Sequence, residues 1–232
     1  MDKKLIHVFC LGSVILLFLG SMATVVGYRL LQPSPKTTDT LQNTRDGIIV
    51  SGTMGENGWY ISSVMVIFNF SSPPAPWWYQ INGEGWQQYS TPILIEPDGI
   101  YLVEATSDFE LIYNVTVKID QTPPDVNITQ PKKGYLYICL LNYIFKIIPN
   151  HIIITTIIIG RINVMVNVPD NLSGINRVEF CIDDDLQYTD RKAPYEWLWA
   201  DRGLFFPYTL TVIAYDNAGN NNSISRKIWK IF

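Results

Sequence analysis

Residues 208–220, YTLTVIAYDNAGN, constrain the fold of this chain more than any other stretch. Leu210, Val212 and Ala214 alternate with Thr209, Thr211 and Ile213, and the alternation stops at Asp216-Asn217-Ala218-Gly219-Asn220. A run rich in branched residues that ends in Asx and glycine chemistry predicts a strand running into a tight turn. Residues 224–231 supply the return strand.

The same grammar recurs from residue 47 onward. Apolar runs at 48–53, 61–70, 77–81, 86–89, 92–96, 99–106 and 111–119 are separated by turn signals, among them Asn82-Gly83-Glu84-Gly85. About seven short strands at this spacing predict an antiparallel β-sandwich over 47–121. Asp120-Gln121-Thr122-Pro123-Pro124-Asp125 closes the unit, and its consecutive prolines stiffen the link to the next. Residues 122–232 follow the same plan, with strands at 126–129, 160–168, 176–183, 186–188 and 193–199 before the opening stretch. Tyr79-Gln80-Ile81-Asn82-Gly83 lines up with Phe180-Cys181-Ile182-Asp183-Asp184, and Asp108 with Asp216. A repeat of roughly one hundred residues means tandem copies of one sandwich.

Both halves resemble the immunoglobulin-like repeats of bacterial and archaeal surface proteins. In the first half the resemblance rests on Gly58-Trp59-Tyr60, the hairpin at 81–89, Asp98-Gly99 and residues 117–124. In the second it rests on Ser173-Gly174-Ile175, Val178-Glu179-Phe180, Ala193-Pro194-Tyr195 and residues 214–220. It implies an all-β chain of two tandem immunoglobulin-like antiparallel sandwiches, a fold used for spacers, adhesins and accessory modules alike. The first half departs from the pattern, because Asp108 is followed by Phe109-Glu110 rather than a Gly-Asn turn.

Residues 5–26 form an apolar run behind Lys3 and Lys4, long enough for one helix to cross a bilayer. The lysines predict a cytoplasmic N-terminus and export of the remainder of the chain. Residues 1–28 therefore read as a single-pass membrane anchor helix. The alternative is a signal peptide cut after Ser21-Met22-Ala23, which would release a secreted protein. Residues 29–46 are polar and aperiodic and read as a stalk. A second apolar stretch at 135–159 is split by Lys146 and Pro149-Asn150-His151 into pieces too short to span, and its branched residues predict strands.

A net charge of −4 leaves no basic field for nucleic acid. His151 is the sole histidine beyond the apolar N-terminus and has no nucleophile beside it, so no catalytic residue is assigned and no enzyme is expected. Asp170, Asp190, Asp216, Asn217 and Asn220 fall in turns expected at one pole, where the linker at 120–125 also enters. Hard oxygen ligands gathered there suit calcium, and the competing reading is that each Asx caps its own turn. Asp183-Asp184-Asp185 lies at the opposite pole as a hairpin tip. Trp77, Trp78, Trp86 and Tyr89 crowd one hairpin, where exposed rings would stack on glycans and alternate rings would face the core. Asn69, Asn114, Asn127, Asn171 and Asn221 begin glycosylation sequons. Cys139 and Cys181 can form a disulfide if their strands are neighbours. Together these features predict a non-enzymatic display, spacer or adhesion module outside the membrane, with protein or glycan surface partners. A carbohydrate-binding module is the first alternative and a hydrolase or its accessory the second.

Overall fold

The computed structural model describes residues 47–70, 76–140, 143–147 and 155–231. The stretches read as anchor and stalk, and His151, lie outside the described residues.

Seven strands build the first sandwich: β1 (Gly47–Ser51), β2 (Val64–Asn69), β3 (Trp78–Ile81), β4 (Gln87–Gln88), β5 (Ile93–Ile95), β6 (Gly99–Thr106) and β7 (Tyr113–Ile119). They form two sheets, β1-β2-β5 and β4-β3-β6-β7. Alternate residues point inward, so Val64 and Val66 of β2 meet Val103 of β6 and Val117 and Ile119 of β7 in one core. Each such side chain contributes about 1.5–3 kcal/mol on burial.

The second sandwich holds β8 (Asn127–Gln130), β9 (Leu136–Leu140), β10 (Tyr143–Ile147), β11 (Thr156–Gly160), β12 (Ile162–Asn167), β13 (Ile175–Ile182), β14 (Asp185–Asp190), β15 (Glu196–Trp199), β16 (Leu204–Asp216) and β17 (Asn221–Ile231). One sheet runs β15-β12-β8, and the other contains the run β17-β16-β13-β14. The first sandwich has the same order in β7-β6-β3-β4 and β5-β2-β1, so the repeat read from residues 79–83 and 180–184 is a repeat of topology. The opening stretch is longer than its pattern suggested, with β16 paired to β17 from Leu204 to Tyr215. Its inward residues Leu210, Val212 and Ala214 are fully buried against Phe180, Val164 and Trp199. Asp183 and Asp184 take φ of 49° and 70°, as a two-residue hairpin turn requires.

Two expectations need correction. The second sandwich is not wholly antiparallel, because β11 pairs in parallel with both β17 and β9. Only Arg161 separates β11 from β12, so the chain changes sheet there without room to reverse, and Gly160 (φ 97°) supplies the bend. The apolar stretch thus becomes β9, β10 and β11, added outside β17, and among the described residues no helix is long and apolar enough to cross a membrane.

The second correction concerns the cysteines. Cys181 is a buried free thiol in β13. Three strands, β11, β17 and β16, lie between it and β9, which carries Cys139. At roughly 4.8 Å per strand the two backbones stand about 19 Å apart, far outside disulfide reach.

Candidate functional site at the junction of the sandwiches

The turn that ends β16 is built around one carboxylate. Asp216 Oδ1 accepts hydrogen bonds from the Gly219 and Asn220 backbone N–H groups at 2.7 and 2.8 Å, and Oδ2 accepts one from Asn220 Nδ2 at 2.9 Å. Gly219 sits at φ 97°, and the Glu56 side chain packs where a Cβ would stand. Asn217 reaches back across its own domain, donating from Nδ2 to the Ser173 carbonyl at 2.9 Å.

This turn is also the surface on which the first sandwich rests. Glu56 N–H donates to the Ala218 carbonyl at 2.8 Å, and Asn57 Nδ2 donates to the Asn217 carbonyl at 2.9 Å. The linker is gripped in the same way: Asn220 Nδ2 donates to the Asp120 carbonyl, Asn222 Nδ2 to the Pro124 carbonyl and Asp125 N–H to the Pro169 carbonyl. Ala218 at the centre is fully buried. Residues 53–61 form the opposing loop, tied by Gly55 N–H to the Trp59 carbonyl and Ile61 N–H to the Thr53 carbonyl.

Beneath these bonds three carboxylates converge. Asp120, Asp170 and Asp216 each place an oxygen within 4.8 Å of the others, and Asp120 and Asp216 are buried. Among the described residues none of the three forms an ion pair. Ser173 donates its N–H to Asp120 Oδ2 at 3.1 Å, and its hydroxyl is buried without a partner. Burial pushes the Asp216 carboxyl above its ordinary range. The Asn220 and Gly219 bonds pull it back in part, and the Asp120 charge raises it further. Two ionised carboxylates at this separation repel by on the order of 3–4 kcal/mol at an effective dielectric of about 20. The cluster therefore suits a proton or a cation held between the carboxylates. A cavity of about 520 Å³ beside it is lined by Asp98, Asp120, Asp125, Asp170 and Asn171. Asp98 behaves oppositely to Asp216: burial would raise its carboxyl, but bonds from Thr122 Oγ1 (2.6 Å) and Gln121 hold it below the usual range.

Of the residues expected at one pole, Asp170 and Asp216 meet, whereas Asp190 does not join them. It pairs with Val178, about 10 Å along β13 from the Ile175–Asp216 pair and on the opposite flank of that strand. There it caps its own turn, accepting from Lys192 and Glu196 N–H. The Asn217 and Asn220 amide nitrogens are spent on backbone and Asp216 oxygens. Asp120 was the member not singled out, and its place at the end of β7, just before the double proline, was the available signal.

The aromatic hairpin divides by face. Trp77 is buried, stacked on Phe70 at 3.5 Å, and the Tyr89 hydroxyl accepts from Phe68 N–H, so neither offers a ring to a glycan. Trp78 and Trp86 stay half-buried, both packed against Phe109. The five sequon asparagines, Asn69, Asn114, Asn127, Asn171 and Asn221, are all exposed.

The described residues form two β-sandwiches with the same strand order. Residues 155–224, from the edge of β11 into β17, match the bacterial Ig domain family. The fibronectin(III)-like modules of Clostridium thermocellum CbhA share 20% identity over 79% of this chain and 94% of theirs, with a TM-score of 0.38. The N-terminal four Ig domains of Dscam1 isoform 4.44 share 10% identity over 78% of this chain and 45% of theirs, with a TM-score of 0.38. No curated protein matches the chain in sequence.

Proposed function

We propose that the chain is a non-enzymatic display module held outside a membrane by its N-terminal apolar segment, with its two sandwiches locked as one rigid unit. The observation that carries this reading is the junction, where the turn at 216–220 is bonded both to the loop at 53–61 and to the linker. A spacer needs a fixed angle between modules, and hydrogen bonds from three segments supply it. Cell fractionation tests the location. The protein should stay with membranes through high-salt and carbonate washing and be digested by protease added to intact cells. A body found in the cytosol contradicts the reading, and a mature N-terminus just after Ala23 selects the secreted form.

Calcium at Asp120, Asp170 and Asp216 refines this account, because the cation would bind both the linker and the second sandwich. At 100 times its dissociation constant it would add about 2.7 kcal/mol. The protein's melting temperature should then fall by roughly 5–10 °C on adding a chelator. The pH dependence separates cation from proton. The Asp216 carboxyl is raised above its ordinary 3.8, so without a cation it opposes folding above its folded pKa, and that loss is relieved as pH falls through that value. Chelated protein should therefore gain stability on mild acidification, and Asp216→Asn should not. An unchanged melt with chelator leaves the proton as the occupant.

Glycan recognition is retained only at Trp78 and Trp86, since Trp77 and Tyr89 are occupied within the fold.

A further inference from the structure

Tandem copies of one sandwich put equivalent turns at equivalent poles. In the second sandwich the β16–β17 turn carries the interface to its neighbour. The matching β6–β7 turn of the first, residues 107–112, presents Phe109, Leu111 and Ile112 at 54%, 56% and 45% exposure. Phe109 holds φ 66°, in the left-handed region where the matching turn of the second sandwich has Gly219. Its ring stands edge-on to Trp86 at 5.5 Å and beside Trp78 at 6.1 Å. Thr106 Oγ1 accepts from Phe109 N–H and donates to the Leu111 carbonyl, which fixes the tip.

The chain enters the fold at this same pole. Gly47 packs against Phe70 and Tyr113, and Tyr113 opens β7 directly after the exposed turn. Only the stalk, residues 29–46, separates Gly47 from the N-terminal segment read as an anchor, a reach of at most about 65 Å when fully extended. Lysine and arginine are absent from 107–113, and Asp108 turns its Oδ1 back onto the Glu110 and Leu111 N–H groups. Asp108 and Glu110 together leave the tip negatively charged.

We propose that this pole rests on the bilayer from which the chain emerges, with Phe109, Leu111 and Trp86 set into the boundary between headgroups and acyl chains. This inference rests on the anchored reading above. Trp and Phe favour that boundary because it is apolar on one side and wet on the other. A short tether keeps the tip at high effective concentration there, so a contact too weak to hold a free domain persists. The Asp108 and Glu110 charges make zwitterionic lipid the preferred surface over anionic lipid.

The test uses the full chain in phosphatidylcholine liposomes brominated on the acyl chains near the headgroups. No tryptophan precedes Trp59, so the anchor itself adds no emission. Tryptophan fluorescence should be quenched relative to unbrominated liposomes, and the quenched part should fall roughly twofold or more in Trp86→Phe. Phe109→Asp with Leu111→Asp, both at exposed positions, should abolish it while the protein still floats with the liposomes. Co-flotation without quenching overturns the inference and leaves the anchor standing. Failure to float overturns the anchor and the inference with it. Quenching relieved by soluble chitohexaose would instead make the rings a glycan site.

Discussion

Asp216→Ala is expected to destabilise the second sandwich by about 3 kcal/mol. The substitution strands three donors at once: the Gly219 and Asn220 N–H groups and Asn220 Nδ2. The carboxylate they bond to is fully buried and the donors themselves are part-buried, where an unmet donor costs about 1–3 kcal/mol. Removing the charge repays part of this, because it ends the repulsion with Asp120. For a chain of this size the melting temperature should fall by roughly 6–12 °C. Asp216→Asn retains the Oδ1 acceptor for both backbone donors, and should cost about 1 kcal/mol, from the single bond to Asn220 Nδ2. A fall of under about 2 °C for Asp216→Ala in a calorimetric melt would show that the turn does not depend on the carboxylate.

Gly55→Val should uncouple the sandwiches without unfolding either. A Cβ at this position would fall against the Ala218 carbonyl oxygen and 2.7 Å from Ile61 Cγ2. The same carbonyl accepts the Glu56 N–H bond, so the loop must lift and release both that bond and the Asn57 bond. Each sandwich retains its own core, since the two buried clusters share no residue. The expected result is unchanged strand content by circular dichroism, with cleavage by proteinase K at residues 120–125 accelerated at least about tenfold, as local opening of a linker predicts. Cleavage at the wild-type rate would mean that the loop at 53–61 does not hold the junction.

The periodic parts of this fold were legible in the chain, and the parts set by tertiary contact were not. Alternation at Leu210, Val212 and Ala214 named the buried face of β16, and Asp216 to Asn220 named its turn, because both signals are local. The hairpins at Asn82-Gly83 and Asp183-Asp184 were equally plain, since positive φ demands those residue types. Asp190 was misplaced because a pole is a property of register: β14 flanks β13 on the side away from β16, and Asp190 pairs with Val178, three residues from the Ile175–Asp216 pair. Trp77 and Trp78 illustrate the same limit: one faces Phe70 inside and the other Phe109 outside, and composition alone does not say which. Gly55 carried no local signal at all. Its role depends on the carbonyl of Ala218, far later in the chain.

The rigid junction is tested most directly by a distance measured across it. Nitroxides placed at Glu84 and Asp184, both exposed hairpin tips, report on one sandwich each, in a background with the native cysteines replaced. Double electron–electron resonance should return a single narrow distance distribution for the wild-type junction and a broad one for Gly55→Val. A broad distribution in the wild-type junction, matching that of the variant, would contradict the account.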